Sequence, residues 1–327
     1  MRGTLPLLAL ALLAASGGVD ADDWSQLGMD IDGFVSNEHM GKSVAISKNG
    51  IRVAVGSPNY EDQANAMYAV GRVRVYEYDE VSSSWLQLGS DVYIGVSGYE
   101  QAGISVALNL DGSHVAIGRQ NNNDGTGFAL VFEYKEGGWS RLSGGHLMTT
   151  FSPPPPSPMG SAIGRQRALS HSRGWSPYHV SLALSDDGKR IVIGRPSPYD
   201  SGSDPGTLKV YDYNNDEWVQ VGQTLQGDNA VDMFGMSVAM SSDGSTVAAG
   251  APEHDGGVAG VPAWSYYGTS GGSAGLARVF RFNSDSGQWK QLGDDIYGAN
   301  PGDDAGTSIA LSSSGDCIAV ASPQADA

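Results

Sequence analysis

Apolar positions along this chain come in short paired bursts with a turn signal between them, and the pairing recurs. The first burst of each pair reads SVAIS, SVALN, SLALS, SVAMS and SIALS, starting at Ser43, Ser105, Ser181, Ser237 and Ser308. The second reads VAVGSP, VAIGRQ, IVIGRP, VAAGAP and IAVASP. Between them lie Asn49-Gly50, Asp111-Gly112, Asp187-Gly188, Asp243-Gly244 and Ser314-Gly315. Short apolar runs flanked by such pairs read as strands of a hairpin, and Asn-Gly or Asp-Gly suits a two-residue turn whose central residues both need positive φ. The runs lack polar alternation, which predicts strands buried on both faces. In the second strand, Val53 and Val55, Val115 and Ile117, and Ile191 and Ile193 put bulk on one face. Ala54, Ala116, Ala248 and Ala319 leave the other face small. Large against small is what sheets stacked face to face require.

A third strand follows each of the first four pairs (RVRVYEY, ALVFEY, LKVYDY, ARVFRF), alternating more clearly and ending in an aromatic. A tryptophan strand then closes the unit, and the repeats are counted from Trp24, Trp85, Trp139, Trp218 and Trp289 in WSQLG, WLQLG, WSRLS, WVQVG and WKQLG. Four strands in about 60 residues, each sheet packing on the next, describe a β-propeller blade. The expected fold is therefore all-β: a β-propeller of four-stranded antiparallel blades across residues 22–327, four full blades plus a partial fifth, in an open or incomplete ring. Two segments interrupt the pattern. Residues 143–176 hold SPPPPSP, Arg165, Arg167 and Arg173 with no acidic residue, and read as an extended excursion. Residues 256–275, rich in Gly, Ser and aromatics, read as a long loop.

The N-terminus changes the picture of where the chain works. Arg2, the apolar run from Leu5 to Ala15 and the small residues up to Ala21 match a secretory signal over residues 1–21. The run is too short to span a membrane, so the expectation is a secreted or cell-surface protein without membrane insertion. Cys317 is the only cysteine, which excludes an intrachain disulfide. It stands where Arg52, His114, Arg190 and Thr246 stand in the other repeats, and is read as a strand residue. With 19 basic and 36 acidic residues the formal charge is −17, which opposes binding to nucleic acid or an anionic membrane.

The pattern G-x-SVALS-x-DG-xx-VAVGAP followed by G-x-VRVYEY resembles the FG-GAP repeat of integrin α-chain β-propellers, in its divergent WxQLGxDI form. The resemblance is specific at Phe234-Gly235 and Gly250-Ala251-Pro252. Met40-Gly41, Ala102-Gly103, Tyr178-His179 and Ala305-Gly306 replace the Phe-Gly pair elsewhere. It implies a binding or adhesion role, and in many members a calcium ion between the first two strands. That loop is cut down here to Lys48-Asn49-Gly50 or Asp186-Asp187-Gly188, too few oxygens for the six to eight ligands calcium takes.

Candidate chemistry is sparse. Gly268-Thr269-Ser270-Gly271-Gly272 fits G-x-S-x-G, but no strand-to-helix context surrounds it. His39, His114, His146, His171, His179 and His254 show no paired-ligand spacing, and His114 is read as solvated. Asp30, Asp32, Asp91, Asp294 and Asp295 recur beside the tryptophan strand and are read as structural, accepting backbone hydrogen bonds at a strand end. The expectation is a chain that is not an enzyme and carries no cofactor, with calcium at the oxygen-rich stretches after the second strand (Asn121 to Asp124, Asp200 to Asp204, Glu253 with Asp255) as the alternative. Such a chain is a secreted or cell-surface binding module presenting variable loops to an extracellular protein or glycan. The loops are residues 59–69, 120–126, 198–205 and 253–273, with Asn59, Tyr60, Asn121, Asn123, Asp124, Asp200, Asp204, Glu253 and Asp255 as candidate contacts. The alternatives are an extracellular propeller enzyme acting on polysaccharide, and a non-autonomous fragment of a larger surface protein.

Overall fold

A computed structural model describes residues 13–15, 24–92, 98–120, 127–144, 147–149, 180–196, 205–229, 232–255 and 273–324. Strands β1 (Leu13–Ala15) and β2 (Trp24–Gln26) form an antiparallel pair, so part of the apolar run read as a secretory signal lies against the first tryptophan strand. Four sheets and a hairpin follow. The first sheet has β3 (Ser43–Ile46), β4 (Arg52–Ser57), β5 (Arg72–Asp79) and β6 (Ser84–Gln87) in chain order. The second has β7 (Ser105–Leu108), β8 (His114–Gln120), β9 (Gly127–Lys135) and β10 (Gly138–Arg141), with β11 (Leu147–Thr149) beside β9. The third has β12 (Ser181–Leu184), β13 (Arg190–Arg195), β14 (Thr207–Asn214) and β15 (Glu217–Gln220), with β16 (Leu225–Gln226) beside β14. The fourth has β17 (Ser237–Met240), β18 (Thr246–Ala251), β19 (Leu276–Asn283) and β20 (Gln288–Gln291), with β21 (Ile296–Tyr297) beside β19. The last is a hairpin, β22 (Ser308–Leu311) with β23 (Ile318–Ala321). No helix occurs among the described residues. The architecture is all-β, built from propeller blades.

The chain divides into two compact units, residues 1–119 with 131–141, and residues 120–130 with 142–327. In the first, Ile31, Met40, Val53, Val55 and Tyr76 form a core against which Trp85 packs. In the second, Val192, Leu208, Phe234, Val247, Leu276, Phe280 and Trp289 form the centre of a larger one, with Phe234 and Phe280 edge-on at 6.4 Å. The second strands are buried along nearly their whole length in β4, β8, β13 and β18, as two-faced packing requires. The first strands depart from that expectation. β3 alternates, and its Val44 and Ile46 are exposed, whereas Val238 and Met240 of β17 pack on the second core. A strand is buried on both faces only where a second sheet lies against it, and no described residue covers that side of β3.

The WxQLG signature is a clamp between successive blades. The indole Nε1 of Trp85 donates to Leu27 O (2.8 Å), that of Trp139 to Leu88 O (2.8 Å) and that of Trp289 to Val221 O (2.9 Å). Each indole also stacks on the last aromatic of its own third strand, as in Tyr78–Trp85 at 5.2 Å and Phe282–Trp289 at 5.2 Å. The following Gly leaves room for the ring: a Cβ on Gly222 would lie 2.8 Å from Trp289 Cδ1. A serine opening the first strand makes a second clamp, Ser43 Oγ donating to Gly103 O (2.8 Å), Ser181 to Gly235 O (2.7 Å) and Ser237 to Gly306 O (2.7 Å). These contacts bring backbones so close that a Cβ on Gly250 would sit 2.0 Å from Gly306 O.

The hairpin turns are not the expected two-residue kind. The ladder ends at Ile46–Val53, and only the glycine is left-handed, with φ of 75° at Gly50, 70° at Gly188 and 69° at Gly244. The polar side chains explain the wider turn. Ser47 Oγ donates to Asn49 Oδ1 (2.6 Å) and accepts from Arg52 N (3.0 Å). Ser185 with Asp187 and Arg190, and Ser241 with Asp243 and Thr246, repeat the arrangement. Side-chain oxygens thus take over bonds that a tighter turn would make through its backbone.

Candidate rim site

A buried acid recurs in the turn before the first strand of the first, second and fourth blades and of the last hairpin. Glu38, Glu100, Asp232 and Asp303 each stand three residues before the Gly of the Phe-Gly position, and all four are buried. Each folds its turn in the same way where the contacts are described. Glu38 Oε1 accepts from Phe34 N at 2.6 Å, Asp232 Oδ2 from Asn229 N at 3.0 Å, and Asp303 Oδ2 from Asn300 N at 2.9 Å. The carbonyls of these residues then receive the loop: Asn59 N donates to Glu38 O (3.2 Å) and Glu253 N to Asp232 O (3.3 Å). The residue after each acid is left-handed, with φ of 53° at His39, 46° at Gln101, 58° at Met233 and 54° at Asp304.

In the first blade a guanidinium neutralises the acid. Arg72, the first residue of β5, lies 2.7 Å from Glu38 Oε2 and 3.1 Å from Asp91 Oδ2. Arg74, two residues on and so on the same face, binds Asp91 Oδ1 at 2.9 Å. The Tyr60 ring lies 3.9 Å from the Arg72 guanidinium carbon and the Phe34 ring 4.1 Å from that of Arg74, both within cation–π range. Burial opposes the charge of Asp91, but the hydrogen bond and charge of Arg74 bring its carboxyl below the usual range. Asn59 joins two turns, accepting from Gln101 Nε2 at 3.0 Å and meeting His39 Nδ1 at 3.1 Å. In the second blade Glu100 pairs with Arg119, which comes from the end of β8 instead.

The fourth blade solves the same problem differently. Leu276 occupies the register position of Arg72, and Ala251 that of Arg119's strand end. The group facing Asp232 is the imidazole of His254, at the loop position of Tyr60. Its Nε2 lies 3.7 Å from both Asp232 and Asp228, and its Nδ1 3.7 Å from Asp255. Burial pushes the Asp232 carboxyl up to about 6, against the opposing pull of His254. Arg278 binds Asp295 (2.5 Å) and Asp228 (2.8 Å), repeating the Arg74–Asp91 pair. Hydrogen bonding to Arg278 lowers the Asp295 carboxyl. Ser273 Oγ donates to Glu253 Oε2 at 3.1 Å, tying together the two ends of the long loop.

The structure thus places Asn59 and Tyr60 in the first-blade assembly, and Glu253 and Asp255 in the fourth-blade one. Asn121, Asn123, Asp124, Asp200 and Asp204 lie outside the described residues, as do the G-x-S-x-G stretch, most of residues 143–176, and His146, His171 and His179. The aspartates beside the tryptophan strand are structural, but for a different reason from the one expected. Asp91 and Asp295 hold arginines of the third strand and accept from Gln87 (2.9 Å) and Gln291 (2.8 Å) of their own WxQLGxD motif. His114 is half-buried against Asn109, Ser113 and Glu133 rather than solvated. The recurrent buried acid went unread in the sequence, although its fixed place before the glycine in NEHMG, YEQAG, VDMFG and DDAG was a usable signal. Among the described residues no group of three His, Cys, Asp or Glu side chains is placed to hold a metal ion. No described helix is long and apolar enough to cross a membrane.

No known family and no curated protein matches the sequence. Several solved structures are similar in shape. One is a candidate 6-phosphogluconolactonase from Bacteroides uniformis, at 11% identity and TM-score 0.49, over 95% of this chain and 68% of that one. Another is the periplasmic gluconolactonase of Pseudomonas aeruginosa, at 15% identity and TM-score 0.41, over 97% of this chain and 89% of that one. A third is the β-propeller domain of the Trilobed protease from Pyrococcus furiosus, at 8% identity and TM-score 0.38, over 79% and 57%. These names correct one expectation: that the chain is not an enzyme is withdrawn, since similar structures include proteins named as lactonases.

Proposed function

We propose that the chain is a secreted or cell-surface binding module of the FG-GAP kind, which presents the loops after its second strands to an extracellular protein or glycan. The observation that carries the reading is the way these loops are rooted. Buried acids and the groups that face them fix the turns from below, the second strands that lead into the loops are buried, and in the first blade the loop tip, residues 63–66, is left in solvent. Loops on a rigid scaffold are where binding side chains concentrate, and rigid presentation lowers the ordering cost of association. The signal-like N-terminus and the lone cysteine fit an extracellular setting without disulfides.

The test is direct. The full chain, recovered from culture medium, is measured on a biosensor against arrays of extracellular proteins and glycans. Saturable binding is expected, weakened at least tenfold when residues 61–67 are replaced by a Gly-Ser segment of equal length. Retention of the chain inside the cell, or saturable binding indifferent to that replacement, would contradict the reading.

A further inference from the structure

Two exposed tyrosines of the first unit are joined through their backbones. Tyr68 lies near the end of the loop after β4, and Tyr99 in the turn before β7. Tyr99 N donates to Tyr68 O at 2.7 Å, and the register continues with Gln101 N to Ala69 O (2.9 Å) and Ala102 N to Val70 O (3.0 Å). The two stretches therefore run as a short parallel pair with their tyrosines at one end. Tyr68 is 58% exposed and Tyr99 51%. The backbone beneath them is held. Asp62 accepts from Ala64 N (3.1 Å) and Asn65 N (3.3 Å), and Asp62 and Met67 exchange backbone bonds of 2.9 and 3.0 Å. Rings carried on ordered backbone bind at little entropic cost.

A polar chain lies along the same rim. Gln101 Nε2 donates to Asn59 Oδ1 (3.0 Å), and Asn59 Nδ2 meets His39 Nδ1 (3.1 Å). With Asn59 oriented to accept from Gln101, its amide donates to His39 Nδ1, which leaves the imidazole proton on Nε2. An amide has two hydrogens and two lone pairs on its oxygen. Asn59 therefore keeps one of each after these bonds, in fixed directions.

We propose that this rim, Tyr68 and Tyr99 with Asn59, Gln101 and His39, is a binding site for a neutral glycan chain; the proposal rests on the binding reading above and narrows its ligand. Aromatic faces carry negative charge density that attracts the C–H faces of sugar rings. Amide and imidazole groups can both donate to and accept from hydroxyls. The adjoining loop contributes Glu61 and Asp62, and the chain as a whole carries −17, which disfavours sulfated or uronic chains. A protein epitope of standard size needs about 800 Å² on each partner, more than two rings and their polar neighbours offer.

The experiment is calorimetric titration of the full chain at neutral pH with hexasaccharides of β-1,4-glucose, β-1,3-glucose, β-1,4-xylose, β-1,4-mannose and β-1,4-N-acetylglucosamine, with oligogalacturonate as the anionic comparison. Saturable binding to at least one neutral chain is expected. Tyr68→Ala or Tyr99→Ala should weaken it about tenfold, Tyr68→Phe by less than about threefold because the ring remains, and Val81→Ala on an exposed turn elsewhere not at all. Melting curves of the alanine variants should overlay the parent, since both rings are exposed. The proposal is overturned if no neutral chain binds saturably, if the alanine variants bind as tightly as the parent, or if the anionic chain binds better. A protein ligand lost in both alanine variants would overturn the glycan class and leave the binding-module reading standing.

Discussion

The first and fourth blades bury an acid at the same place and surround it with different chemistry. Glu38, 3% exposed, faces Arg72, whose charge is permanent; Asp232, also 3% exposed, faces the His254 imidazole, itself 6% exposed, and burial raises its carboxyl. The folded turn is alike in both, since each carboxylate binds a backbone amide three or four residues earlier and each carbonyl receives the next loop. The repeat therefore specifies where the negative charge sits and leaves open which strand answers it: β5 in the first blade, β8 in the second, the loop after β18 in the fourth. Two loops built on one plan consequently differ in how they respond to acid.

The comparison breaks most severely at Arg72. Replacing it with leucine, the residue that the fourth blade has at this position, leaves Glu38 charged and buried, which should cost about 3–5 kcal/mol and show as a large fall in the urea midpoint. Next comes the pH dependence of the fourth blade. The Asp232 carboxyl is raised in the folded state to about 6 from an ordinary 3.8, so the folded protein holds that proton more tightly than the unfolded chain. Stability from this group is greatest at low pH and falls as pH rises from about 4 through 6, by on the order of 2–3 kcal/mol. Asp232→Asn should flatten that slope in melts recorded from pH 4.5 to 7. Below that window Asp91 and Asp295, whose carboxyls are lowered, pull the other way, and their stabilising charge is lost as they protonate. His254→Tyr, which copies the first blade's Tyr60, removes the imidazole facing Asp232 and should cost about 1–2 kcal/mol at pH 7, with less loss at pH 5, where Asp232 holds its proton. Smallest is Gln87→Ala or Gln291→Ala: each removes an exposed hydrogen bond to Asp91 or Asp295 and should cost under about 1 kcal/mol. A loss as large as that of Arg72→Leu would mean that the WxQLGxD glutamine matters more than the geometry indicates.

Much of the fold could be read from the sequence because its signals were local. Paired apolar runs around a Gly turn, repeated five times and four times continued by a third strand and a tryptophan strand, fix hairpin, strand order and blade. The turn type was misread because it depends on Ser47, Ser185 and Ser241, whose hydroxyls reach back across the hairpin and widen it. The exposed side of β3 was missed for a related reason: periodicity reports what a strand can bury, and only its neighbours decide whether it does. The site was harder. Arg72 and Arg74 alternate visibly in GRVRVYEY, yet nothing in that spacing says that one meets Glu38, 34 residues earlier, and that both meet Asp91, downstream in the next WxQLGxD motif. His254 was examined for metal-ligand spacing, which it lacks, and not for standing in a blade whose buried acid has no arginine at the position of Arg72 or Arg119.

Hydrogen exchange at two backbone amides offers the most direct test within one molecule. The Asn59 amide closes the first-blade loop on Glu38, and the Glu253 amide closes the fourth-blade loop on Asp232. After correction for intrinsic exchange, the opening free energy at Glu253 should fall as pH rises from 5 to 7, while that at Asn59 stays level. Equal behaviour at the two amides, or a rise at Glu253, would contradict the claim that burial raises the Asp232 carboxyl while the permanent charge of Arg72 holds Glu38.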